Sequence, residues 1–120
     1  MPSLQSISPI LPVRDMRVSV AFYQRLGFQY QPYEDGSQYV FLSMDRCALH
    51  LTRMATSEFV FNPCGVYFYV EDVDAFFAQI VAAGVSTINT PEDRPWGVRE
   101  FALSDPDETL LRFGQLLVAS

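Results

Sequence analysis

Histidine occurs once in this sequence, tryptophan once and cysteine twice. The scarcity removes several chemistries at the outset. Cys47 and Cys64 have no CxxC spacing, so a thiolate metal site is not indicated, and at most one disulfide could form. His50 has no second imidazole to share general-base work, and no nucleophile with a base or glycine-rich phosphate loop is recognisable. Long apolar runs are missing too: nothing approaches the roughly 20 residues that span a bilayer. The start, "MPSLQSISPILPVRD", has neither a basic leader nor a continuous apolar segment. A cytoplasmic protein with reduced thiols is therefore expected. Basic residues are few, 8 against 14 acidic, and the net charge of -6 argues against nucleic acid while suiting a cationic small molecule.

What is present is ordinary globular material: 49% hydrophobic, 14% aromatic and 18% charged residues over 120 positions, enough for one domain with a real core. The chain also repeats. When "VRDM" (Val13 to Met16) is laid on "VEDV" (Val70 to Val73), Ala21 falls on Ala78, Gly27 on Gly84 and Phe28 on Val85. Each half has a short apolar strand ending in an aspartate, Asp15 or Asp72, placed to cap the next helix. The first helix is predicted over Met16 to Leu26; in the second, Val73, Phe76, Phe77 and Ile80 form one face and Gly84 stops it. Strands are expected at "FQYQPY", "QYVFLSM" and "CALHLTRM" in the first half, and at "VSTI", "VREFALS" and "TLLRFGQ" in the second.

The order is βαβββ, twice, over about residues 5–54 and 65–116 of a single domain. The fold class is α+β, with one helix against a four-stranded mixed sheet in each module and the other sheet face left for its twin to cover. "ATSEFVFNPC" joins the halves, "NTPEDRPWG" reads as irregular, and "DPDE" (105–108) reads as a turn.

Arg112 looks misplaced. In "TLLRFGQ" period two puts Leu111 and Phe113 on one face and Leu110 and Arg112 on the other, so the guanidinium must point somewhere wet, paired or functional. Pairing with Glu100 or Glu71 is favoured over direct ligand contact, because buried charges persist when paired.

The doubled βαβββ order, opening with "LPVRDMRVSVAFYQRLGF" and closing with "WGVREFALSDPDETLLRFGQ", resembles the vicinal oxygen chelate superfamily of glyoxalase I, extradiol dioxygenases, fosfomycin resistance proteins and bleomycin resistance proteins. It is most similar to the bleomycin resistance type. The resemblance implies a glyoxalase/bleomycin resistance fold, completed as a module-exchanged homodimer. In the superfamily's enzymes a divalent metal is held by His, Gln or Glu on the first and last strands of both modules. Those positions fall here on Ser8, His50, Gly65 and Arg112. Serine and glycine are poor ligands, and a guanidinium has no acceptor and a permanent charge, so only His50 could bind metal. No metal, cofactor or catalytic residue is therefore assigned.

For ligand binding the candidates are Trp96, His50, Arg112, Phe59 and Phe61. Trp96, between Pro95 and Gly97, is presented for stacking or else caps a sheet edge; the resemblance implies the former, since bleomycin resistance proteins carry a tryptophan before glycine in the drug groove. His50 also reads as a hydrogen-bonded core residue, and Phe59 and Phe61 as packing beneath the linker. Asp35, Glu58, Glu92 and Asp93 read as solvated loop charges that together attract a cation. The implied function is metal-free sequestration of a bleomycin-like glycopeptide antibiotic in a groove at the dimer interface. Two rivals stand: a metal-dependent lyase, isomerase or transferase using His50 and Glu100, and a small-ligand binder unrelated to antibiotics.

Overall fold

The structure, a computed structural model, describes residues 2–117. Asp15 starts helix α1 (Met16–Leu26) by accepting from the backbone N–H groups of Arg17 and Val18. Gly27, at φ 114°, ends it in the left-handed conformation that suits glycine. Strand β1 (Ile10–Val13) precedes the helix; β2 (Gln29–Pro32), β3 (Tyr39–Met44) and β4 (Cys47–Arg53) follow. A single 3-10 turn, Thr56–Glu58, lies in the joining segment. The pattern then recurs: β5 (Val66–Tyr69), α2 (Val73–Ala82) capped by Asp72, β6 (Glu92–Arg94), β7 (Val98–Ser104) and β8 (Leu110–Leu116).

Both sheets have four strands and the same internal order, β1-β4-β3-β2 and β5-β8-β7-β6. In each, the first strand pairs parallel with the last and the other pairings are antiparallel. Alternation sets the faces. Leu49 and Leu51 of β4, and Leu111 and Phe113 of β8, point into the core, whereas His50 and Arg112 point away. The core runs through both modules: Phe113 stacks on Phe68 at 4.9 Å and on Phe101 at 5.4 Å, and Phe68 meets Phe28 of the first module at 6.0 Å. Within the chain the outward faces of the two sheets do not cover one another. Ile10 and Phe41 on the first, and Tyr69 and Leu116 on the second, are exposed.

One expected strand is displaced. "VSTI" contributes a single ladder-like bond, from Ile88 N–H to the Ala102 carbonyl, and the Asn89 side chain accepts from Ala102 N–H. The edge strand is instead Glu92–Arg94, inside the stretch read as irregular. Its charges suggested a loop, but an edge strand pairs on one side only and commonly carries charge there.

The "DPDE" turn is more than a connection. Asp107 accepts from the backbone N–H and the Nε of Arg14, the latter at 2.8 Å, and from the Ser19 hydroxyl. Asp105 accepts from the Tyr23 hydroxyl at 2.8 Å and from the N–H groups of Asp107 and Thr109. Two buried carboxylates of the second module thus fasten α1 of the first.

Burial raises the affinity of Asp105 for its proton, only partly offset by the Tyr23 hydrogen bond. The folded protein keeps that proton into a pH range where the unfolded chain has released it. Asp105 therefore adds stability below the ordinary carboxylate range, and the contribution is lost as pH rises through the raised folded value. Urea unfolding between about pH 4 and 7 should show Asp105→Asn losing less stability with rising pH than the unsubstituted protein; parallel slopes would refute this.

Candidate functional site

The outward side chains of the first sheet make an aromatic surface. Tyr39, Phe41 and Ser43 alternate along β3, and the register sets Phe41 beside His50, which in turn lies beside Ile10. His50 Nδ1 lies 2.7 Å from the Tyr39 hydroxyl, and its ring meets Phe41 edge-on at 4.9 Å. Gln29, Gln31, Ser43, Ala48 and the rings of Tyr30, Phe41 and His50 line an open recess of about 510 Å³. A second recess, about 430 Å³, shares Phe41 with the first and runs past Tyr39 to Arg53.

On the second sheet, Arg112 stands where alternation places it, outward, and pairs with Glu100 of the neighbouring strand at 3.7 Å. Glu71 is not its partner. The arrangement is asymmetric: the Glu100 side chain is 3% exposed and that of Arg112 47%. Tyr67 of β5 is register partner to Arg112.

Of the four positions that the resemblance assigned to metal ligands, His50 and Arg112 lie on these outward faces. Ile10 pairs with His50 and Tyr67 with Arg112, and Ser8 and Gly65 stand in the chain just before β1 and β5. Their chemistry does not fit a divalent ion. Gly65 offers no side chain, Arg112 brings a permanent cation, and one ring nitrogen of His50 is taken by Tyr39. Among the described residues, no other group of three or more His, Cys, Asp or Glu is placed to hold one.

Trp96 occupies the tip of the β6–β7 hairpin and is 68% exposed, so it is presented rather than packed against the sheet edge. The hairpin explains why. Pro95 and Trp96 form a turn closed by Gly97 N–H donating to the Arg94 carbonyl, and Gly97 at φ 90° supplies the left-handed residue that a three-residue loop needs. The Gly97 carbonyl accepts from Leu117 N–H, which holds the tip to the chain beyond β8. Gly97→Ala should cost about 1–2 kcal/mol for the left-handed backbone. Chemical unfolding measures it, and an unchanged midpoint would mean that the turn adopts another form.

Phe59 and Phe61 are already engaged. Their rings pack edge-on at 5.5 Å, and the Arg14 guanidinium lies 4.7 Å from the centroid of Phe59 and 5.7 Å from that of Phe61. Arg14 also pairs with Asp107, so this cluster ties the joining segment to both modules. The presumed loop charges are varied. Asp35 caps the turn at Ser37, whose N–H and hydroxyl hold its carboxyl below the usual range. Glu92 pairs with Arg94, and Asp93 with Arg99.

Tyr39, Phe41, Gln29, Gln31 and Tyr67 join the candidate surface although the sequence did not single them out. The alternation in "QYVFLSM" already put Tyr39 and Phe41 on one face; it did not say which face lies outward. A third cavity, about 750 Å³, lies between the β3–β4 turn at Asp45–Cys47 and the start of α2, floored by Phe68 and Phe76.

Comparison with known proteins adds names to this geometry. Residues 4–113 match the model of the Glyoxalase/Bleomycin resistance protein/Dioxygenase superfamily. A bleomycin resistance protein of Geobacillus stearothermophilus is 31% identical over 130 residues, covering 93% of this chain and 96% of its own. One from Klebsiella pneumoniae is 32% identical over 119 residues, covering 90% of each. The crystal structure of a bleomycin-binding protein complexed with bleomycin superposes with a TM-score of 0.78 at 27% identity, over 93% of this chain and 98% of that one.

Proposed function

The chain belongs to the Glyoxalase/Bleomycin resistance protein/Dioxygenase superfamily, and on that premise we propose that it is a metal-free binding protein that sequesters a bleomycin-like glycopeptide antibiotic. The observation that carries this reading is the pair of open sheet faces lined with aromatic rings, one bearing His50 and the other an Arg112 paired to Glu100; the resemblance assigns metal positions to these two residues and to Ser8 and Gly65, which supports binding without a metal. Such faces grip a flat organic molecule by stacking and exclusion of water. No step of bond breaking is required.

A planar heteroaromatic portion stacks on Trp96, and a cationic tail suits a protein of net charge -6. His50, in its recess beside Phe41, and Arg112 lie on the two open faces and supply polar contacts. Phe59 and Phe61, held by Arg14, bound the ligand from the joining segment. Because each chain leaves both faces uncovered, the groove is completed by a second copy, with modules exchanged or packed across a homodimer. The protein works in the cytoplasm, where the drug must be held before it reaches its target; among the described residues no helix is long and apolar enough to cross a membrane.

Titration with bleomycin tests the reading directly. Trp96 is the only tryptophan, so its fluorescence reports the hairpin alone. A saturable change with matching heat of binding is expected. An unchanged signal with no heat would defeat the proposal.

A further inference from the structure

Glu100, Arg112 and Tyr67 lie close together on the second sheet, the first two as an ion pair, with no hydrogen bond joining the three. Glu100 is buried on the outward face of β7, and the nearest Arg112 nitrogen is 3.7 Å away, beyond hydrogen-bond range. The Tyr67 hydroxyl is buried and has no hydrogen-bond partner among the described residues. A buried hydroxyl left so costs stability, and native structures tolerate this where something else completes the set.

The pose is built into the sheet. Tyr67 stands on β5, and its ring lies across β8 at Gly114, the register partner of Glu100. A Cβ on Gly114 would come within 2.0 Å of the phenol oxygen, so only glycine lets the ring lie there. Burial and the nearby Glu100 charge both raise the phenol's affinity for its proton, which leaves a neutral O–H available to donate.

We propose that Glu100, Arg112 and Tyr67 form a subsite for a neutral planar group that carries an N–H donor beside a carbonyl acceptor, a carboxamide foremost. The reading deepens the binding function above and rests on it. Charge selects the class: an ammonium approaching Glu100 meets the Arg112 cation, and a carboxylate approaching Arg112 meets the buried Glu100 anion. A carboxamide offends neither. Its N–H donates to the Glu100 carboxylate, its carbonyl accepts from the half-exposed Arg112 guanidinium, and the Tyr67 hydroxyl completes the set.

Benzamide, benzoate and benzylamine share a ring and differ in the head group, which makes them suitable probes. In NMR titrations, benzamide is expected to shift the Gly114 amide and the Arg112 Nε–H saturably and more strongly than either charged analogue. Tyr67→Phe should weaken benzamide about fivefold, the loss of one hydrogen bond. Glu100→Gln removes the repulsion of anions, so benzoate should then rival benzamide, a reversal that a purely structural role for Glu100 does not produce. Stronger shifts from benzylamine or benzoate in the unsubstituted protein, or benzamide binding untouched in folded Tyr67→Phe, would overturn the assignment. Bleomycin titration is read separately. Bleomycin binding without a benzamide response refutes the subsite and leaves the sequestration reading; benzamide binding without bleomycin supports the subsite and removes that reading.

Discussion

Phe113→Ala is expected to lower the stability of the folded protein by about 3–5 kcal/mol, the range for removing a fully buried phenylalanine. Phe113 is completely buried and touches aromatic rings from three other elements, Phe68 of β5, Phe76 of α2 and Phe101 of β7. These neighbours come from separate strands and a helix, so none can collapse into the void without dragging its backbone. Cavity cost is therefore added to lost burial. Domains of this size are typically stable by about 5–15 kcal/mol, so the variant should unfold at a much lower urea midpoint. A midpoint shift worth less than about 1 kcal/mol would mean that the aromatic stack is looser than its geometry implies.

Trp96→Ala is expected to have the opposite profile: little change in unfolding, and a rise of about thirtyfold in the Kd for bleomycin. The stability forecast follows from exposure, since the indole buries little against its own chain and the turn is held by Pro95, Gly97 and backbone hydrogen bonds. The affinity forecast follows from the behaviour of aromatic anchors, whose truncation commonly costs about 2 kcal/mol, equivalent to that change in Kd. Isothermal titration gives the number. Trp96→Phe should recover part of the affinity because a smaller ring still stacks. If the alanine variant binds bleomycin as tightly as the unsubstituted protein, the hairpin tip does not contact the drug.

Taken together the two substitutions separate scaffold from surface. Phe113 and Arg112 are adjacent in sequence and face opposite ways, so one strand serves the core with one set of side chains and the open face with the other. The Asp105 carboxylate is a further case in which a residue near the surface in sequence terms turns out to join the modules.

Much of this architecture was legible because it is local. A helix cap requires only a side chain and a backbone N–H two or three residues away, so Asp15 and Asp72 declared themselves. Period two fixed the opposite orientations of Arg112 and Phe113, and the internal repeat implied two equivalent sheets. The edge strand was misplaced because Ile88 looks more like a strand residue than Asp93 does. What decides an edge is the register available against β7, which the segment itself does not encode.

The sequence by itself determined which residues form the helices and which side of each central strand is apolar. Only the tertiary structure decided that Arg112 answers to Glu100 rather than Glu71, that Tyr39 engages His50, that Arg14 sits between Phe59 and Asp107, and that Tyr67 spans Gly114. Periodicity reports the direction in which a side chain leaves its own strand. Its partner depends on strand order and register, which arise from the packing of distant segments around a common core.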